Sequence, residues 1–147
     1  AGFTMGKGFD CPTESMWEIA ARAGATTKYI CGDDYNNLGD WAITSENWGN
    51  TLTVGRKKPN NWGIYDVTGN VWEFMCDVKN SANLSTLQSN ALAPITTGEA
   101  SGEIARGGGY DHERSFWMNR ISMRHYHSSR STSFGSCGTR LSWRPVD

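Results

Sequence analysis

VGRKKPNNWGIYDVTGNVWEFMCD, residues 54–77, is the stretch on which the reading of the whole chain turns. Its first half is turn chemistry. Pro59-Asn60-Asn61 and Gly63 punctuate the backbone, and Gly69-Asn70 marks a second bend. Beyond that bend Val71, Glu73 and Met75 alternate with Trp72, Phe74 and Cys76, a period of two that predicts a strand. A glycine-asparagine bend feeding an aromatic strand points to an irregular, loop-rich domain held by aromatic pins. The 7 Trp and 17 Gly of the chain agree with that.

Upstream, PTESMWEIAARAG (12–24) predicts the one clear helix, with Thr13 as N-cap, a stripe of Met16, Trp17, Ala20 and Ala21, and Gly24 as C-cap. From Thr26 to Asn61 turn signals dominate, and Thr51 to Val54 reads as a short strand. Downstream, 81–101 is polar and featureless and reads as a long surface loop. Ile104 to Tyr110 reads as a strand entering the bend Gly107-Gly108-Gly109, and Thr139 to Trp143 as a closing strand. Trp17, Trp72 and Trp143 are expected to be core pins.

At 147 residues the chain suits a single domain, 1–147, with a real core. No apolar run is long enough to span a bilayer, so membrane insertion is not expected. A net charge of -1 argues against a general polyanion binder, and no nucleic-acid partner is expected. Arg106, Arg114, Arg120, Arg124, Arg130, Arg140 and Arg144 crowd the last third. Spaced as they are, without lysines, they read as structural arginines pairing with backbone carbonyls. Cys11, Cys31, Cys76 and Cys137 lack CxxC spacing, which disfavours a zinc knuckle; disulfides and buried thiols both remain open. The triple glycine is not a GxGxxG motif, and no nucleophile elbow is present.

Five colinear segments then carry a family resemblance: PTESMWEIAARAG (12–24), YICGDDYNNLGDWAITSEN (29–47), residues 54–77, ARGGGY (105–110) and GTRLSW (138–143). Together they resemble the formylglycine-generating-enzyme (sulfatase-modifying-factor) family. The resemblance implies an α+β, C-type-lectin-like fold with few helices, much irregular loop and a small antiparallel sheet. That family's further N-terminal strand and helix have no match here, so part of the usual N-terminal region is expected to be lacking. Family enzymes use two cysteines after the glycine strand to bind copper. At those places stand His112 and Trp117, and Cys137 has no nearby partner in sequence. The chain is therefore expected not to be an enzyme. A related branch, the sulfoxide synthases, uses three histidines on iron. His112, His125 and His127 share one segment, so a copper- or iron-dependent oxidase, or a degenerate structural domain, stays open as the alternative.

The same motifs occur in the variable proteins of diversity-generating retroelements, which carry a hypervariable ligand-binding surface on a C-type lectin scaffold. The resemblance places that surface at Tyr110 to Cys137, which is dense in Tyr, His, Asp, Asn, Phe, Ser and Thr. The implied ligand-binding residues are Tyr110, Asp111, His112, Phe116, Asn119, His125, Tyr126, His127, Ser129, Ser131 and Phe134, expected to converge on one exposed face. Glu113, Trp117, Met118 and Met123 are expected to be fixed scaffold. The strand after Gly109 and the one before Thr139 are expected to be neighbours in one sheet. The implied partner is a protein or glycan on another cell or particle, and the implied location a phage particle or bacterial cell surface. No cofactor is required. The family also holds calcium near its matching turn, which implies possible calcium ligands at Asp66, Val67, Gly69, Val71 and Glu73.

Overall fold

The computed structural model describes residues 8–47, 49–78, 102–111, 116–127 and 135–144. Strand β1 (Gly8–Asp10) leads into helix α1 (Glu14–Arg22), and a 3-10 helix follows at Tyr35–Asp40. Strands β2 (Trp72–Val78), β3 (Glu103–Arg106), β4 (His125–His127), β5 (Cys137–Gly138) and β6 (Ser142–Arg144) complete the described elements. The featureless 81–101 stretch lies outside the described residues.

Helix α1 starts as expected. The Thr13 hydroxyl accepts the Met16 N–H at 3.2 Å, and Glu14 and Arg22 sit at the ends their charges favour. It stops one residue earlier than expected. Ala23 takes the cap, left-handed at φ 46, and Gly24 follows it at φ 87. A left-handed alanine costs about 1–2 kcal/mol. Here it keeps the Ala23 methyl buried and leaves Gly24 exposed.

Among the described residues the main sheet runs β4-β3-β2-β5. β2 pairs antiparallel with β3, and β3 with β4, but β5 runs parallel to β2. The expected antiparallel sheet is therefore mixed. The strands after Gly109 and before Thr139 lie at opposite edges of this sheet and are not neighbours. The closing strand is displaced too: β6 pairs with β1 in a separate two-stranded sheet, where Trp143 faces Phe9. Trp143 is 56% exposed and is not a core pin, because its pairing partner is a short outer strand with no third layer among the described residues. The strand expected at 51–54 does not form. Its Leu52 N–H and carbonyl are paired instead by the Asn70 side chain, at 3.0 and 3.1 Å.

The alternation in β2 divides the core as read. Met75 joins Trp17, Ala21, Val67, Ile104 and Ile121 on one side. Trp72 joins Ala105 and Met118, with Phe74 packed on them, on the other. The arginines depart from expectation: carboxylates, more than carbonyls, take them. Arg106, almost wholly buried, lies 3.5 Å from Glu14, bonds Glu18 and donates to the Ser122 carbonyl at 3.2 Å. Arg124 reaches Glu14 at 2.6 Å. Burial raises Glu14 above its ordinary value even against Arg106 and Arg124. Burial pushes Glu18 the same way, but Arg106 and Arg22 overcome it and hold Glu18 low. None of the four cysteines, all described, is disulfide-bonded.

Candidate recognition site

The segment after β3 is pressed onto the sheet by glycine. Gly108 adopts φ +83, and a Cβ there would meet the Asn119 Oδ1 at 2.7 Å and the Met118 carbonyl at 3.2 Å. A side chain is excluded twice over, by conformation and by space. The turn 116–121 therefore closes over the bend, burying Met118, Asn119 and Ile121 and leaving Phe116 and Trp117 outward, 51% and 46% exposed. The two ends of the candidate stretch also come within electrostatic reach of each other. Burial, followed by the charge of Asp111, pushes the Cys137 thiol up to about 11.

The expected binding residues fall into separate environments. Asp111 is exposed and Tyr110 half-buried, its N–H held by the Asn70 carbonyl at 3.0 Å. Asn119 departs from the expected exposed face: it is buried against Gly108. His125 and Tyr126, adjacent on β4, point to opposite sides of the sheet. His125 stacks on Trp72 at 4.7 Å and 26°, while Tyr126 packs against the Trp17 and Met75 cluster. The full set is thus not one continuous exposed face. His112, Ser129, Ser131 and Phe134 lie outside the described residues, as does the His127 side chain. Trp117, read as scaffold, is exposed.

Sequence reasoning missed Tyr35. Its ring meets Phe116 edge-on at 6.5 Å and 69°, and Tyr29 at 5.5 Å. Its hydroxyl lies beside the Asn119 amide and the Glu46 carboxylate, which brings the turn 116–120 against the loop 35–47. Burial, then the Glu46 charge, raises Tyr35 above its ordinary value. The aromatic density of 29–35 was the available signal, but nothing in it indicated a partner more than eighty residues away.

A second feature is a cavity of about 630 Å³ whose lining includes Tyr65, Asp66, Val71, Glu73 and Arg140. Its floor is an ion pair. Arg140 grips Glu73 at 2.7 to 3.1 Å, and its other contacts are the carbonyls of Tyr65, at 2.9 Å, and Asp66, at 3.3 Å. The Trp17 indole donates to the same carboxylate at 2.6 Å. The Asp66 carboxylate accepts the Gly55 N–H at 2.6 Å. Calcium wants six or more oxygens. Of the expected ligands, the Glu73 carboxylate is held by Arg140 and Trp17 and the Asp66 carboxylate by the Gly55 N–H, so the turn as placed is built around a guanidinium.

Residues 3–144 match the family model of the sulfatase-modifying factor enzyme 1-like domain. The chain belongs to this family. It is 31% identical over 112 residues to the formylglycine-generating enzyme of Streptomyces coelicolor, covering 67% of this chain and 35% of that enzyme. The corresponding Mycobacterium tuberculosis enzyme is 38% identical over 80 residues, 43% of this chain and 25% of that one. Thus this sulfatase-modifying-factor-like chain spans about a third or less of these relatives. Among solved structures it resembles Treponema denticola variable protein 1, with TM-score 0.83 and 31% identity over 95% of this chain and 49% of that one. PvdO from Pseudomonas aeruginosa shares the fold at TM-score 0.75 and 22% identity. The fold is α+β and C-type-lectin-like, and the likeness to variable proteins inferred from the motifs extends to the tertiary structure.

Proposed function

We propose that this chain is a ligand-recognition module without catalysis, displaying a variable surface on a C-type lectin scaffold as the variable proteins of diversity-generating retroelements do. The observation that carries this reading is the match to Treponema denticola variable protein 1 over 95% of the chain. The chemistry of the stretch supports it. Trp117 stands exposed where the family's enzymes are expected to carry a copper-binding cysteine, with Phe116 exposed beside it. Copper takes a thiolate, and Cys137, pushed up to about 11, is a protonated thiol near neutral pH. The partner is a protein or glycan on another cell or particle. The face includes Asp111, Phe116 and Trp117.

Selection of binders from a peptide-display library and a glycan array, with the purified domain as bait, tests this. Ligands recovered on the intact chain are expected to lose binding on Phe116→Ala and Trp117→Ala while both variants remain folded at the assay temperature. Oxygen-dependent oxidation of a cysteine-containing sulfatase peptide would overturn the reading. So would recovered ligands indifferent to both substitutions.

A further inference from the structure

Beside Phe116 a smaller cavity of about 240 Å³ opens in the loop 35–47, walled in part by Tyr35, Leu38, Thr44, Glu46 and Asn47. None of these residues belongs to the stretch 110–137. The Tyr35–Phe116 ring contact nevertheless sets the cavity beside it.

The walls are set before any ligand arrives. The Asn47 side chain accepts the Thr44 N–H at 2.9 Å and donates to the Ala42 carbonyl at 2.7 Å, closing the loop on itself. The Asp34 side chain caps the 3-10 helix by accepting the Asn36 N–H at 3.0 Å. Leu38 is buried at the base. At about 30 Å³ per water, the space holds roughly eight waters, the room of one long side chain and not of a larger body.

The cavity wall carries a carboxylate. Glu46 is exposed, and no ion pair among the described residues reaches it. Cations near the cavity are engaged elsewhere: Lys58 pairs with Asp40 at 2.7 Å, the Lys57 amine donates to the Gly39 carbonyl, and the Arg120 guanidinium lies over the Phe116 ring at 5.6 Å. The Tyr35 hydroxyl stands beside the Glu46 carboxylate, which has lone pairs for further donors. A carboxylate over an apolar and aromatic wall is complementary to a group with an apolar stem and a cationic head.

We propose that the Tyr35–Glu46 cavity is a fixed subsite of the recognition face and takes a lysine or arginine side chain projecting from a protein ligand. This rests on the recognition reading above and names the ligand's class: a protein presenting a basic side chain next to the groups that meet Phe116. The variable stretch would select among ligands while the fixed cavity holds a common basic anchor.

Nitrogen-15 correlation spectra of the whole chain, titrated with Nα-acetyl-arginine amide, test the subsite without knowledge of the natural ligand. Nα-acetyl-citrulline amide, which keeps the stem and drops the charge, is the control. The arginine probe is expected to shift amides of residues 35–47 saturably, and the citrulline probe far less. Glu46→Gln is expected to weaken the arginine probe about five-fold at low salt, the upper range for an exposed pair, with the difference shrinking at high salt. Tyr35→Phe keeps the ring and removes the hydroxyl beside Glu46, so a smaller loss is expected. Equal response to both probes, shifts scattered away from 35–47, no saturable shift, or an unchanged Glu46→Gln affinity would each overturn the subsite. The recognition reading fails separately, on the Phe116 and Trp117 variants against selected ligands.

Discussion

Replacing Trp72 with alanine separates scaffold from surface. Trp72 is fully buried, packs with Ala105 and Met118, and carries His125 stacked on its indole at 4.7 Å. Truncating a buried tryptophan costs about 3–5 kcal/mol. For a domain of this size each kcal/mol shifts Tm by about 2–4 °C, so a fall of roughly 6–20 °C is expected. Total stabilities of domains run about 5–15 kcal/mol, which leaves the variant near unfolding at ordinary temperature. Phe116 is half-exposed, and its described ring contacts are the edge of Tyr35 and the Arg120 guanidinium at 5.6 Å. An aromatic pair of this kind is worth about 0.5–1.5 kcal/mol, so Phe116→Ala is expected to lower Tm by no more than about 6 °C. Thermal melts followed by near-ultraviolet circular dichroism of both variants make the comparison. Equal falls would refute the division into a packed scaffold and an outward recognition turn.

Three further outcomes follow from the same contacts. Melts of the intact chain in calcium and in EDTA are expected to coincide, while Arg140→Ala loses about 2 kcal/mol by leaving Glu73 without its guanidinium; a saturable rise in Tm with calcium would contradict the placement of Arg140. Glu18 is held low in the folded state, so its contribution is present above the unfolded carboxylate value and is lost as pH falls through the lower folded one; Glu14, raised by burial, contributes in the opposite sense, present in acid and lost as pH rises. Urea melts between about pH 6 and about pH 3 are therefore expected to lose less stability in Glu18→Gln than in the parent, and a steeper loss would reverse that assignment. Cys137, pushed up to about 11, is expected to react slowly with iodoacetamide near neutral pH and to accelerate as pH approaches that value; full reactivity at neutral pH would show that its thiol is not shielded as described.

Local signals in the chain were read where a short-range cause is sufficient. The Thr13 cap, the helix after it, the two-sided strand beyond Gly69-Asn70 and the glycine bend after Ile104 all form near where composition and spacing put them. The helix ends one residue earlier, with Ala23 left-handed and buried and Gly24 carrying the positive φ onward. The short strand at 51–54 failed because Asn70, eighteen residues from Leu52, supplies its hydrogen bonds. The recognition stretch was legible as a composition and not as a surface. Asn119 is polar and yet buried, and His125 and Tyr126 are neighbours in sequence that serve opposite sides of a strand.

The sequence by itself determined the family, the α+β C-type-lectin-like class, the helix and its cap, and the two glycine bends. These depend on short motifs whose colinear order is visible without coordinates. Only the tertiary structure decided the parallel pairing of β5 with β2, the exposure of Trp143, the capture of Glu73 by Arg140 and the joining of Tyr35 and Glu46 to the turn at Phe116. Each of these depends on contacts between residues dozens of positions apart. Side-chain type states what a residue can do, whereas burial and partner are set by which distant backbone the fold brings against it.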